Sequence, residues 1–477
     1  MFNNFPEFYL LQAFKFFQEE AMRLIISFLN GISMVRCIKI FLTLLAFLSF
    51  STPAVATGLL DMYKQAVQND PIFQSYQFRT FVAQEGKRQA LAAMLPTVMA
   101  TGSYMHKSQD IVSSDNEVYA SGSSEYGTTV YGVNLTQPLF NWASYTGWKQ
   151  AEIVRVRSEM EFVLAGQELI TRVSDLYFQA LAAKDRLDYA LVEQAAVEKH
   201  FELAQGRSDM GLIPITDLYD AKARLAATEA LTIEAHNRLD DALQALSEVT
   251  GAPVDDLIPL APNIKLKRPE PPTLDSWLAG ALEGNPAIEL SKKAVEVAEL
   301  EVKRQNAAHY PTLDLVSSFD NENTEDSLFG GSSEVDTYKI GVQFNLPLYQ
   351  GGEVASKTRS ARHEVGIARQ DLVKQSRSVA RKTRSAFLGV DSSLKRVDAL
   401  AQSLDANKLA LEAKQDGYMS GLFTSLGVLD AERDLALVSI DHAQARYDYI
   451  LNSLRLKQAV GSLTEQDLLD LENWLVK

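Results

Sequence analysis

The chain has 477 residues and a formal charge of -15, with 46% hydrophobic and 22% charged residues. That balance fits a folded protein whose main partner is neither nucleic acid nor anionic lipid, and no basic stripe is read in its body. After residue 56 no run reaches the ~20 apolar residues of a spanning helix, so any membrane insertion must use strands. The six histidines, His106, His200, His236, His309, His363 and His442, stand at no ligand spacing and beside no nucleophile motif. Neither an enzyme, a metal nor a cofactor is expected.

In chain order, an export signal comes first. Arg36 and Lys39 precede an apolar run from Ile40 to Phe50, and Ala54-Val55-Ala56 supplies the small-x-small pattern of a cleavage site. The signal is placed over 34–56, with cleavage after Ala56. Residues 1–33 are then a mis-called upstream start or an unusually long n-region of the signal, with Met1, Met22 and Met34 as candidate starts. The only cysteine, Cys37, falls in the signal, so a mature chain would carry no disulfide and no acyl anchor.

The rest reads as two similar halves, 57–265 and 266–477. Asn69-Asp70-Pro71 and Leu95-Pro96-Thr97 recur at one offset as Gly284-Asn285-Pro286 and Tyr310-Pro311-Thr312. Gly132, Pro138-Leu139-Phe140, Gly211-Leu212 and Gly251 recur as Gly341, Pro347-Leu348-Tyr349, Gly421-Leu422 and Gly461.

Each half contains two segments of period-two alternation. In the fourth, Tyr338, Ile340, Val342, Phe344 and Leu346 alternate with Lys339, Gly341, Gln343 and Asn345. Its counterpart sets Tyr131, Val133 and Leu135 against Gly132, Asn134 and Thr136. The weaker pair sets Val98, Ala100 and Tyr104 against Thr97, Thr101 and Ser103, and Leu313, Leu315 and Phe319 against Asp314, Ser318 and Asp320. A sandwich strand reads the same way; with an export signal the pattern points to an outer-membrane barrel, apolar side out. Segments 106–126 and 321–335 are expected to be solvated loops. Within the second, Asp320, Glu322 and Asp326 lack the order of a calcium loop.

Four strands cannot close a barrel, so the barrel must be shared: two chains would give eight strands and three would give twelve. Pro96 and Pro311 are expected before a strand and Pro138 and Pro347 after one, at joints between strand and helix. From Pro138 to Gly211 no proline interrupts a helical pattern spanning roughly 100 Å. Leu169, Val173, Leu176, Ala180, Ala183, Leu187 and Ala190 form a heptad seam along it. The long helices are expected to turn at Gly206–Asp217 and Gly417–Asp430, with Pro214, Thr216, Thr424 and Ser425 as turn or cap residues. The chain ends in a helix-like Glu465 to Leu475.

Across the whole mature region the chain resembles the outer-membrane efflux proteins. The resemblance rests on Leu348-Tyr349-Gln350-Gly351-Gly352, Gly417-Tyr418, Val428-Leu429-Asp430-Ala431, Ile215-Thr216-Asp217 and Gly461-Ser462-Leu463 through Leu469. It implies an α+β fold with four strands per protomer, a homotrimer with a twelve-stranded barrel in outer-membrane lipid, a periplasmic helical tunnel and an equatorial belt. It also implies a passive exit duct for multidrug efflux and type I protein secretion. The implied partners are a periplasmic membrane-fusion adaptor and an inner-membrane efflux pump or secretion ABC transporter. Carried over residue by residue, Asp217 and Tyr418 stand at the hydrogen bonds that hold the tunnel shut, and Asp430 at a constriction aspartate. Phe423 replaces the arginine of that lock and Gly427 the other constriction aspartate. Adaptor contact is expected at the tips, Gly211, Leu212, Gly421 and Leu422, and lipid contact at Tyr338, Ile340, Val342 and Phe344. The alternative is a periplasmic coiled-coil adaptor or scaffold, which would lack a lipid-facing apolar row.

Overall fold

A computed structural model describes residues 58–113, 122–262, 264, 266–327, 331–420 and 422–476. The expected signal over 34–56, the segment 1–33, Cys37 and Gly421 lie outside the described residues.

The described chain repeats one series of elements. Helix α1 (Leu59–Asn69) and α2 (Pro71–Ala92) lead into strands β1 (Thr97–Ile111) and β2 (Gly122–Phe140), then the long helices α3 (Trp142–Asp209) and α4 (Ile215–Thr250). The series returns as α5 (Leu274–Gly284), α6 (Pro286–Asn306), β3 (Thr312–Ser327), β4 (Gly331–Asn345), α7 (Glu353–Met419) and α8 (Ser425–Val460), followed by α9 (Glu465–Glu472). Helices α3 and α7 have 68 and 67 residues, so each is about 100 Å long.

Local chemistry repeats as well. Asp70 and Asn285 each cap a helix that has proline at its start, accepting from the backbone N–H of Phe73 at 2.7 Å and of Ala287 at 2.8 Å. Helices α4 and α8 both end on a left-handed glycine, Gly251 and Gly461. These glycines are also close-packed. A Cβ on Gly251 would lie 2.8 Å from Asn69 Cβ, and one on Gly461 would lie 2.3 Å from Pro286 Cδ. The Asn69 amide donates to the Thr250 carbonyl at 2.6 Å and the Asn285 amide to that of Ala459 at 2.7 Å. Each half thus fastens the end of its hairpin to the start of its own second helix.

The main core lies where these joints meet. It gathers Leu59 and Met62 of α1, Tyr177 and Phe178 of α3, Leu246 of α4, Tyr447 and Ile450 of α8, and Leu468 of α9. Each large side chain buried there contributes roughly 1.5–3 kcal/mol. A bridge between Leu260 and Leu475 ties the C-terminus onto the same belt. Of the expected seam on α3, Leu169, Val173, Ala180, Leu187 and Ala190 are buried, and Leu176 and Ala183 are half-buried.

The four strands form one antiparallel sheet in the order β1-β2-β3-β4. Its register aligns the apolar rows. Val98 faces Leu135, which neighbours Ser317 and then Ile340; Ala100 faces Val133, then Phe319 and Tyr338. The alternating side chains of four strands therefore share one face. Strands β1 and β4 pair on one side only.

Three expectations change. The described parts of the expected solvated loops at 106–126 and 321–335 are largely strand: β1 runs to Ile111, β2 starts at Gly122, and β3 and β4 reach Ser327 and Gly331. Backbone pairing does not depend on polarity, and polar side chains bond across it: the Asn321 amide donates to Glu334 at 3.0 Å and Asp336 at 2.8 Å. Pro138 lies inside β2 rather than after it, at a register shift between Pro138 and Phe140, where a missing N–H is tolerated. Lastly, one side of α7 does carry exposed basic residues, Arg359, Lys374, Arg377, Arg381 and Arg384, which the overall acidity masks.

Candidate functional site

Two regions carry the residues singled out by sequence. The first is the apolar sheet face. Tyr338, Ile340, Val342 and Phe344 are all exposed, Ile340 to 80%, because alternation aims them away from the sheet and none of the described residues covers them. Pro96 and Pro311 directly precede β1 and β3, and Pro347 follows β4. Next to them Trp142, Tyr145 and Trp148 form a row of tilted rings at the top of α3.

The second is the far end of the helical hairpins. At the first tip, Gly211 takes φ +69, and the N–H of Leu212 reaches the Arg207 carbonyl at 2.8 Å, closing the end of α3. At the second, Leu422 N–H reaches the Gly417 carbonyl at 2.7 Å. Leu212 and Leu422 are exposed to 67% and 79%. Thr424 caps α8, its hydroxyl accepting from Gly427 N–H at 3.2 Å, whereas Thr216 caps nothing. Pro214 takes the cap position of α4 without a side-chain bond. Gly427 has room for a side chain, since a Cβ there would meet only Thr424 Oγ1 at 3.6 Å.

Asp217 and Tyr418 both line a cleft of about 750 Å³, with His200, Arg207, Arg224 and Leu426. Asp217 accepts there from the neighbouring Thr216 hydroxyl at 3.4 Å. Burial, then the Arg224 and Arg207 charges, push the His200 pKa below its ordinary value. Phe423 folds back onto its own hairpin: a Cβ on Gly417 would lie 2.3 Å from Phe423 Cδ2. The ring rests where a side chain on residue 417 would stand.

Asp430 has a partner that sequence reasoning missed. Its Oδ1 lies 3.6 Å from Arg224 Nη1, joining α8 to α4, with both side chains half exposed. A signal was present, because Arg224 falls one heptad after Asp217 and so on the same face of α4. Farther from the tips the hairpins are tied again, by Arg455 to Asp175 at 2.8 Å and by the Tyr447 hydroxyl donating to Asp185 at 2.8 Å. Burial raises the pKa of both aspartates. Between these ties and the Arg224–Asp430 pair the hairpins part around a groove of about 590 Å³, lined by Ala183, Tyr189, Leu231 and Arg433 among others.

A family model described as "Outer membrane efflux protein" matches residues 62–252 and 277–462. The chain is 29% identical to the outer membrane protein TolC of Vibrio cholerae, over 89% of its own length and 95% of that protein. It is 28% identical to the alkaline protease secretion protein AprF of Pseudomonas aeruginosa, over 87% of its own length and 86% of that protein. Among solved structures, the Campylobacter jejuni CmeC outer membrane channel superposes with a TM-score of 0.74 at 16% identity, covering 88% of this chain and 90% of that one.

Proposed function

This chain belongs to the outer membrane efflux protein family, and from that premise we propose that three copies close their sheets into one twelve-stranded barrel continued by a helical tunnel. The assembly is a passive exit duct for multidrug efflux and type I protein secretion, performing no chemistry itself. It takes its energy from an inner-membrane pump or secretion ABC transporter reached through a periplasmic membrane-fusion adaptor. The observation that carries this reading is the four-stranded sheet with a single apolar face and two unpaired edges. In hydrocarbon, unpaired backbone groups cost several kcal/mol each, so β1 must meet the β4 of another copy. The likeness to secretion proteins of other bacteria supports the cargo side of the reading.

At the periplasmic end the tips, Gly211–Leu212 and Gly421–Leu422, are the surfaces for the adaptor, which the exposure of Leu212 and Leu422 supports. The gate lies at Asp217, Tyr418 and Asp430, with Arg224 as the cation that holds the two hairpins together in place of an arginine at 423. Phe423 acts by packing on Gly417, and Gly427 leaves the constriction open on its side. The test is a pair of cysteines, Thr101→Cys on β1 and Gly341→Cys on β4, in a chain whose Cys37 is replaced. Oxidation should give covalent species up to trimer and none larger, and native mass spectrometry should give three chains. Native mass spectrometry that gives a number of chains other than three would sink the proposal.

A further inference from the structure

Lys107 and Lys339, the lysines of the four strands, are turned by alternation to the face opposite Ile340, where Lys339 meets Asp320 at 3.6 Å. The outward face keeps the acids. On β4 the outward positions beyond Tyr338 are Asp336 and Glu334, and Asp336 stands opposite Asn321 of β3. The Asn321 amide donates from Nδ2 to Glu334 Oε1 at 3.0 Å and to Asp336 Oδ1 at 2.8 Å, so the head of that side chain points between the two carboxylates. Both acids are exposed, whereas Asn321 is only 4% exposed. Its Oδ1 is sealed from water and accepts no hydrogen bond. Among the described residues neither carboxylate has an ion pair, so one neutral amide stands between two like charges.

From this we infer that Asn321, Glu334 and Asp336 form a site for a hard divalent cation, calcium or magnesium, on the outward rim of the barrel. One such ion gives the orphaned oxygen a partner and cancels the repulsion between the acids. A half-turn of the amide about its last side-chain bond exchanges Nδ2 and Oδ1, which brings Oδ1 to the point 2.8 Å and 3.0 Å from the two carboxylate oxygens. Three oxygens then converge at a spacing that an ion with contacts of about 2.3–2.6 Å can span. Two charges and one neutral oxygen make a weak site, of the class that binds at about 0.1–1 mM, with water or a lipid phosphate completing the shell. Closure of the trimer does not cover this face, because the β1 of another copy widens the sheet sideways. The outward positions of β1 run from Val98 through Tyr104 and His106 to Asp110 and include no lysine or arginine, and His106 already lies 3.9 Å from Glu125. The height of the site rests on the barrel reading: Asp336 and Glu334 lie about 5 and 10 Å past Tyr338 at a tilt near 40°, level with the outer-leaflet phosphates. The site itself is built within one chain.

The experiment is equilibrium dialysis of the full chain in detergent against labelled calcium at about 150 mM salt, which screens diffuse attraction. All samples carry Asp430→Asn, so that the tip acids do not contribute. The chain should take up one calcium ion with a dissociation constant of about 0.1–1 mM. Glu334→Gln with Asp336→Asn should weaken binding at least about tenfold, and Asn321→Leu, which keeps both charges, about threefold. Asn321→Asp should tighten binding about tenfold, a gain that an asparagine with a merely structural role would not give. Glu322→Gln, on the inward face, should bind as its parent does. No uptake at millimolar calcium, undiminished uptake by a double variant that melts normally, or no gain with Asn321→Asp would each overturn the proposal. Loss of calcium binding in a chain whose Thr101→Cys and Gly341→Cys pair still oxidises to trimer sinks the site and keeps the barrel; calcium binding without trimer keeps the site and removes its place in the membrane.

Discussion

Placing an arginine at Ile340 tests the lipid-facing assignment at its most exposed point. The register sets Ile340 beside Ser317, Leu135 and Val98, between an aromatic row at Tyr338 and Phe319 above and Phe344 below. From residue 338 to 344 the strand advances about 20 Å, or roughly 15 Å along the membrane normal at a tilt near 40°, which puts Ile340 well inside the apolar band. Ile340→Arg should therefore cost about 2–4 kcal/mol per chain. Since a shared barrel carries the change three times, the assembly loses roughly 6–12 kcal/mol. Gln343→Arg, on the opposite face and next to Lys339 and Gly341, should change stability by less than about 0.5 kcal/mol. The assay is the yield of trimer in outer-membrane fractions together with its urea midpoint in detergent and in lipid. The difference between the variants should be large in lipid and small in detergent. Equal yields and equal midpoints in lipid would refute the assignment of this face to lipid.

At the tips, Arg224→Ala and Asp430→Asn should each raise resting conductance in planar bilayers. A double-mutant cycle should give coupling of about 0.2–1 kcal/mol that shrinks with salt, since the pair is half exposed; unchanged current in both variants removes the pair from the gate. Gly417→Ala must displace the Phe423 ring, so it should loosen the second tip to trypsin without altering the barrel, and an unchanged cleavage pattern would count against that packing. Because burial and two arginines lower the His200 pKa, folding favours its neutral form. Tip stability should be full above the ordinary histidine value of about 6.5, decline as pH falls through it, and level off below the depressed folded value. His200→Gln should flatten that decline in hydrogen-exchange measurements at the tips, and an unaltered slope would discount His200. Gly427→Asp should fold as well as wild type, since the position is open, and should increase block by multivalent cations; no added block would place residue 427 away from the conduit.

Much of the architecture could be read from residues because it depends on local rules. Period-two alternation marks the strand faces, the absence of proline marks α3 and α7, and the repeated Pro and Gly landmarks mark joints at each of which an asparagine amide, from neighbouring rather than equivalent positions, bonds the end of a hairpin. The strand ends escaped because polar residues such as His106, Lys107 and Glu334 look like loop residues. What keeps them extended is a partner strand, which composition does not reveal. The heptad seam located the contact along α3 but missed Tyr177 and Phe178, the largest side chains buried there. Near them α3 is enclosed by α1, α4, α8 and α9 together, so the buried arc is wider than the two positions per heptad of a helix pair.

The candidate gate was legible only in part, for a related reason. Turn chemistry picks out Gly211 and Thr424 because each acts within a few residues of itself. The Arg224–Asp430 pair depends instead on how far one hairpin is shifted along another, and that shift is set remotely, where Arg455 meets Asp175 and Tyr447 meets Asp185. A heptad slip there would carry Asp430 about 10 Å from Arg224. The distant ties thus set the register of the tip pair, and the groove between them separates that pair from the buried belt. A half-exposed pair is worth little by itself, so in the proposed gate it would bias the tips while the buried belt holds the hairpins together. On the proposed gate, a chain with phenylalanine at 423 holds its end closed through a cation on the facing hairpin at the height of Asp430, and the Arg224 of α4 supplies that cation.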